Sequence, residues 1–417
     1  MNILFLNAWD HEGGAARAAF RLLKGVQQFG FDARMLVKKK TLTDPSIIGP
    51  RTRVDRMMAY IRPILENYYI KRYPGWNGLT YSPALFFDRL QHQASAVNPD
   101  IIHLHWVGDG FLKIETLPGF KRPLVWTIHD SWPFTGGCHI PFKCTRYRQS
   151  CGACPTLGSS EENDLSSRVW RRKRDSWRDL HLTVVSPSRW LADCARSSSL
   201  LQEASIRVIP NGLDLHVYRP VAKDVAREAL SLPKDKKLIL FGGIQGISDR
   251  NKGFHLLEAA LHKVAGARLY SDVELLVFGS LEPESPPELR LKANYLGWLH
   301  DDMSIALLYA AADVFVVPSI QENLPNTIME ALACGTPCVA FNQGGVPDLI
   351  EHERNGYLAE PYDAADLAHG IIWVLQDDMR WQTLSHRSRQ NAEKKFSLDD
   401  IVKRYVALYE EMLRKTY

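Results

Sequence analysis

Two glutamates separated by seven residues, Glu322 and Glu330, lie in SIQENLPNTIMEALACGTPCVAF (319–341), which reads as a strand end, a polar loop and a helix. Pro325 falls about where that helix begins, a position that suits a residue with no N–H to offer. Helix N-termini at the carboxyl ends of parallel strands are where open α/β sheets bind ligands. A carboxylate in the loop can hydrogen-bond sugar hydroxyls, and one about a turn into the helix can bond a ribose diol. The plain alternative is that Glu322 caps the helix and Glu330 pairs with a surface base.

A second set is cationic. FGGIQGISDRNKGFHLL (241–257) runs from a strand into a Gly-rich loop with Arg250 and Lys252, then into a helix. Two fixed cations beside helix N-termini would hold a diphosphate and stabilise it as a leaving group. A solvated basic loop is the competing reading. A third set is Gly13-Gly14 before a helix, where backbone can approach a phosphate closely and meet unpaired N–H groups. Alone it reads equally as a tight turn, and the GxGxxG dinucleotide fingerprint is absent from it.

The fourth set is Cys138-x5-Cys144-x6-Cys151-x2-Cys154, with His139 beside the first. The final CxxC has the hook spacing of zinc sites. A structural zinc on the four cysteines is the preferred reading, with free thiols or two disulfides as alternatives. Four thiolates leave no open position, so no cysteine is expected in a reaction.

These residues need a scaffold. The chain has 417 residues, 45% apolar and 24% charged, with a formal net charge of +4. That is enough for two domains and too mild a charge to argue for nucleic acid. Short apolar strands alternate with helical patterns, which argues for parallel sheets. The segments NILFLN, PDIIHLHW, RPLVWTIHD and HLTVVSPS build a first series. VIPNGLDLHVYRP (208–220) is rich in turn formers, and KKLILFGG, VELLVFGS, DVFVVPS and PCVAF build a second series after it. The expected domains are 1–212, with a Cys-rich insert at 136–156, and 213–390. The helical tail 391–417 is expected to pack back on the first domain.

Taken together, EGGAAR (12–17), TIHD (127–130), VIPNGLD (208–214), NKG (251–253), ENLPNTIMEALACGTPCVA, GGVPDLI (344–350) and NGYL (355–358) resemble the retaining GT-B glycosyltransferases of family 4. The resemblance covers almost the whole chain, and the Glu-x7-Glu segment is its most specific part. It implies a GT-B fold: two Rossmann-like, doubly wound parallel-sheet domains facing a cleft. It implies retaining transfer of a hexosyl group from a nucleotide-diphosphate sugar, with no metal or other cofactor for catalysis. By position, His129 is implied beside the reacting sugar and Glu322 as the residue holding it. Lys252 and Arg250 are implied as the diphosphate clamp, Asn323, Leu324 and Asn326 as donor contacts, Glu330 as the ribose ligand, and Gly14, with Gly13 before it, as the loop that meets the diphosphate or the acceptor. The family's usual Gly-Arg pair is replaced here by Gly-Gly-Ile-Gln (242–245), and Arg250 stands two residues before the lysine instead. The four-cysteine stretch resembles a subgroup acting in exopolysaccharide assembly, of the colanic acid type. A lipid-linked saccharide acceptor follows as an expectation. The competing functions are another GT-B enzyme, an epimerase or a phosphorylase, or a zinc-bearing scaffold without catalysis.

Two stretches mix basic and aromatic residues: SSRVWRRKRDSWRDL (166–180) and RTRVDRMMAYIRPILENYYIKRYPGW (51–76). Either suits an anionic membrane surface, or is a solvated helix with its aromatics in the core. The start has no basic n-region and no segment reaches membrane-spanning length, so the cytosol is the expected compartment, at the inner face of the cell membrane if these stretches dock there.

Overall fold

The computed structural model describes residues 1–243, 246–266, 272–299 and 301–416. They fall into two compact units, Met1–Pro210 with Asp399–Tyr417, and Asn211–Leu398.

In the first unit, β1 (Asn2–Trp9), β2 (Asp32–Lys39), β3 (Ile47–Ile48), β4 (Ile101–Leu104), β5 (Leu124–Thr127), β6 (Leu182–Ser186) and β7 (Ser205–Val208) form one sheet. Its order is β3-β2-β1-β4-β5-β6-β7, and every pairing is parallel. Strand order reverses between β1 and β4, the doubly wound pattern. Ile3, Leu4, Phe5 and Leu6 are all fully buried, so β1 reads as an unbroken apolar run, because helices cover both faces of such a sheet. The helices are α1 (Gly14–Gln28), α2 (Arg53–Ile70), α3 (Leu90–Val97), α4 (Leu165–Trp177) and α5 (Arg189–Arg196).

In the second unit, β8 (Lys237–Gly242), β9 (Val273–Phe278), β10 (Lys292–Tyr295), β11 (Val314–Val317), β12 (Cys338–Phe341) and β13 (Gly356–Ala359) run in the order β10-β9-β8-β11-β12-β13. These pairings are parallel too. Leu238 and Leu240 join one core cluster and Ile239 and Phe241 another, the period-2 signature of a sheet packed on both faces. Its helices are α6 (Lys223–Ala229), α7 (Phe254–Ala265), α8 (Asp302–Ala311), α9 (Asn326–Ala333), α10 (Ala364–Leu375) and α11 (Asp378–Phe396), and α12 (Leu398–Thr416) follows.

The units divide after Pro210 and after Leu398, against expected boundaries at 212 and 390. Position 390 lies inside α11, which continues unbroken to Phe396. The residues from Asp399 onward group with the first unit, where Tyr409 OH meets His103 Nδ1 at 2.7 Å and Tyr405 OH meets Thr127 Oγ1 at 2.9 Å.

The basic stretch 166–180 turns its tryptophans into the core. It forms α4, in which Trp170 and Trp177 are 8% exposed and Lys173 is fully buried. Trp177 Nε1 donates to Ile114 O at 2.9 Å, and Lys173 Nζ donates to the carbonyls of Trp132 and Thr135. Among the described residues, no helix is long and apolar enough to cross a membrane.

Candidate active site

The second unit brings its two expected clusters together. After β8 the chain reaches a short turn, Arg250–Lys252, and after β11 it reaches the loop carrying Glu322. Lys252 Nζ lies 2.6 Å from Glu322 Oε1, and both side chains are partly buried. Glu322 beside Lys252 raises the lysine pKa above its usual value, outweighing burial, so the cation is secure. Asn251 holds the two loops in register. Its Nδ2 donates to Gln321 O at 3.0 Å, its Oδ1 accepts Gln321 N–H at 3.1 Å, and its carbonyl accepts Ile320 N–H at 2.8 Å. Gly253 has φ +74, and a Cβ there would collide with the Pro318 carbonyl, so only glycine lets the turn lie this close to the strand end.

Glu322 does not cap the following helix. The N-cap of α9 is Pro325, which offers no side-chain bond. Glu330 is 2% exposed, and the Tyr309 hydroxyl lies 3.3 Å from its Oε2, so it is an interior carboxylate. Leu324 is buried, while Asn323 and Asn326 are partly exposed at the loop, and Asn211 Nδ2 donates to Asn326 Oδ1 at 3.0 Å.

In the first unit, His129 follows β5 directly. Its Nε2 lies 3.0 Å from His105 Nδ1, and the two rings stack at 5.3 Å. Burial pushes the His129 pKa down to about 4, against the opposing pull of Asp130, so the ring is a neutral hydrogen-bonding group near neutral pH. Burial raises Asp130, but His139, the Trp132 N–H and the Trp106 indole together hold it below its usual value. His139 Nδ1 lies 2.6 Å from Asp130 Oδ2, and Trp106 Nε1 donates to the same oxygen at 2.8 Å.

The chain that carries this lysine–glutamate pair and buried glutamate is similar to known proteins along most of its length. The model of Glycosyltransferase Family 4 matches residues 12–217, and that of Glycosyl transferases group 1 matches residues 236–377. A D-inositol 3-phosphate glycosyltransferase of Arthrobacter sp. (strain FB24) is 33% identical over 317 residues, covering 72% of this chain and 68% of that protein. The chain belongs to glycosyltransferase family 4. Solved structures agree on the fold. Sucrose-phosphate synthase from Thermosynechococcus elongatus superposes with a TM-score of 0.73 at 20% identity, over the full length of both chains. Anabaena Alr3699/HepE, in complex with UDP-glucose, gives 0.67 at 17% identity, over 99% of this chain and all of that one. The fold is GT-B, and the protein is an enzyme of the transferase class.

The remaining expected residues of this glycosyltransferase are more scattered. Arg250 shares the turn with Lys252 but is exposed. Ile244 and Gln245, where the family's Gly-Arg pair is replaced, lie outside the described residues. Gly13 has φ +93 and N-caps α1, and Gly14 is exposed at that helix start. No acidic residue occupies the first turn, which leaves the helix dipole unopposed there.

Cys138, Cys144, Cys151 and Cys154 line one small cavity. Among the described residues, no three His, Cys, Asp or Glu side chains already stand as a metal-holding group. His139 is not available as a further ligand, because its second ring nitrogen lies 2.9 Å from Ser82 Oγ. Ser82, His139 and Asp130 thus have the connectivity of an acyl-transfer triad, but Ser82 is 1% exposed and no substrate reaches it. His139 instead braces the Asp130 carboxylate beside His129. Asn251 and His105 are positioning residues outside the expected set, and His139, expected beside the cysteines, takes a positioning role instead. The NKG and TIHD motifs pointed to the neighbourhood of the first and last.

Proposed function

We propose that the enzyme transfers a hexosyl group, with retention, from a nucleoside-diphosphate sugar to a lipid-linked saccharide acceptor in surface-polysaccharide assembly, at the inner face of the cell membrane. The observation that carries the donor reading is the Lys252–Glu322 pair on adjoining strand-end loops. A cation there is suited to the diphosphate and a carboxylate to the sugar hydroxyls, so the donor replaces one internal ion pair with contacts to both partners. As the anomeric C–O bond breaks, charge builds on the departing diphosphate, and Lys252 with Arg250 stabilises it. The acceptor hydroxyl attacks the anomeric carbon on the face that the diphosphate leaves, and its proton passes to the departing phosphate oxygen. This needs no metal to bridge the phosphates, because fixed cations and the N-terminus of α9 supply the positive field. Glu330 holds the ribose diol. Asn323, Leu324 and Asn326 meet the donor at the loop, and neutral His129 hydrogen-bonds a hydroxyl of the reacting sugar. Gly14, with Gly13 before it, meets the diphosphate or the acceptor. Similarity to a protein solved with UDP-glucose supports a nucleotide-sugar donor.

The test is a thermal-shift and turnover screen with UDP-, GDP- and ADP-sugars. One nucleotide class should raise Tm, since a ligand that binds only the folded state must do so. Glu330→Ala and Lys252→Ala should abolish that rise, and Lys252→Ala should lower kcat/KM by about 10²–10³-fold. NMR of the product should show the donor's anomeric configuration. No shift with any nucleotide would sink the donor reading, and an inverted product the retaining one.

A structural zinc is proposed for Cys138, Cys144, Cys151 and Cys154. Four sulfurs around one cavity are a fitting donor set, and Gly136 N–H donates to Cys151 Sγ at 3.1 Å, the kind of bond a thiolate accepts. The metal would fold the insert that carries His139. Elemental analysis of purified enzyme should find one zinc per chain, lost in Cys144→Ser; zinc-free enzyme with intact thiols and an unchanged Tm would reject it.

A further inference from the structure

The second basic-aromatic stretch turns its apolar residues to solvent. On α2, Met57, Tyr60, Ile64 and Tyr68 recur at three- and four-residue steps, so they share one helix face. They are 52%, 73%, 51% and 59% exposed. Of the sixteen exposed large apolar side chains among the described residues, seven belong to this 18-residue helix. Scattered exposed apolar residues are ordinary, but a concentration of this kind marks an interaction surface.

The opposite face is the one that holds α2 to the protein. Glu66 and Ile70 are 3% and 1% exposed, and Arg62 donates to Phe111 O at 3.3 Å. The outward orientation is therefore fixed by the fold rather than by a loose helix. A capping box closes the start, with Thr52 Oγ1 accepting Asp55 N–H at 3.0 Å and Asp55 Oδ2 accepting Thr52 N–H at 3.2 Å.

Charge selects the occupant. The first turn carries exposed Arg53 and Arg56, and exposed Lys71 and Arg72 follow the last turn. Arg53, Arg56 and Lys71 have no ion-pair partner among the described residues. The Arg72 guanidinium stacks 4.8 Å from the Tyr68 ring, an aliphatic stem and charged head at an apolar edge. Neither carboxylate of α2 opposes this charge, because Asp55 caps the helix and pairs with Arg89 and Glu66 is buried. An apolar stripe with basic residues at both ends, lying along the protein surface, has the pattern of a helix that lies in the plane of a membrane interface.

We infer that the outward face of α2 docks this glycosyltransferase on anionic phospholipid, with Met57, Tyr60, Ile64 and Tyr68 entering the interface and the flanking Arg and Lys side chains meeting headgroup phosphates. This deepens the membrane-face part of the proposed function and rests on it for its setting. A transferase so placed meets an acceptor confined to the bilayer in two dimensions.

The test uses the full chain and co-sedimentation with vesicles of phosphatidylcholine alone or mixed with phosphatidylglycerol. The wild type should sediment with the mixed vesicles and not with phosphatidylcholine alone, and added salt should weaken binding. A variant with Met57→Ser, Tyr60→Ser and Ile64→Ser should lose at least about tenfold in partitioning. Arg53→Gln with Arg56→Gln should lose several-fold on the mixed vesicles. Both should keep wild-type circular dichroism, Tm and nucleotide-induced thermal shift. Equal binding to both vesicle types, no binding, or undiminished binding by the variants would overturn the inference. So would a dimer in gel filtration that the same serine substitutions dissociate, which assigns the face to a second copy. A missing nucleotide shift with intact vesicle binding strikes the donor reading alone.

Discussion

α2 and α4 look alike as sequence and behave as opposites. Each sets several Arg and Lys residues among aromatic side chains. In α4 the aromatics turn inward, with Trp177 packed edge-on against Trp126 and Trp132 and the Lys173 ammonium 3.6 Å from the Trp132 ring. In α2 the aromatics turn outward and the inward positions are filled by Arg62, Glu66 and Ile70. Composition therefore does not decide what such a helix does. What decides is the phase of the helical period relative to the side chains that anchor it. In α4 that anchor is Asp164, which caps the helix by accepting Ser167 N–H at 3.0 Å and also accepts Cys154 N–H at 2.8 Å. This cap ties the helix to the cysteine insert and fixes which face looks inward.

The sharpest test of the contrast is truncation of an inward aromatic. Trp177→Ala removes a buried ring and its bond to the Ile114 carbonyl, so unfolding free energy should fall by about 3–5 kcal/mol, measured by denaturant melts. A loss near that of a surface substitution would mean that α4 is not the core helix described.

Glu66 probes the inward face of α2. Burial raises its carboxyl to about 7, with Asp109 adding to the rise and Leu85 N–H and Lys38 opposing it. A raised carboxyl binds its proton more tightly in the folded state. Its contribution is therefore fully present below the unfolded value of 4.5 and lost as pH climbs through about 7. Glu66→Gln cannot ionise and keeps an acceptor for the Leu85 N–H bond of 3.0 Å. The variant should match wild type in the acid range and exceed it above neutral pH, by up to about 3 kcal/mol. Parallel melts across that range check it, and a pH-independent difference would place Glu66 in water.

Most of the sheet is legible in the sequence because both faces of a parallel sheet are buried, and runs such as LILF and LLVF announce that. β2 is harder. DARMLVKK is edged with charge, yet Lys38 is 7% exposed and bonds Asp109, so one of its apparent surface lysines is interior. The donor-side residues Glu322, Glu330 and Lys252 are legible as a spacing within a strand–loop–helix frame. Asn251 is not, because its partners Ile320 and Gln321 stand about seventy positions away and adjacency in the chain makes it look like part of a basic loop. His105 and His139 hide their positioning roles for the same reason. Each acts through a side chain on another element, and only the parallel register of β4 beside β5 and the fold of the insert bring them to His129 and Asp130.

The smallest effect should come from the most exposed residue of α2, and its smallness is the point. Tyr60→Ser should change stability by no more than about 0.5 kcal/mol, because the ring is 73% exposed and no core packing depends on it. The same substitution should still measurably weaken binding to anionic vesicles, where burial of the ring is regained. A residue that costs stability when removed, as Trp177 does, is there for the fold. One that costs nothing in solution and something on a lipid surface is there for the surface, and a large stability loss at Tyr60 would erase the distinction between the two helices.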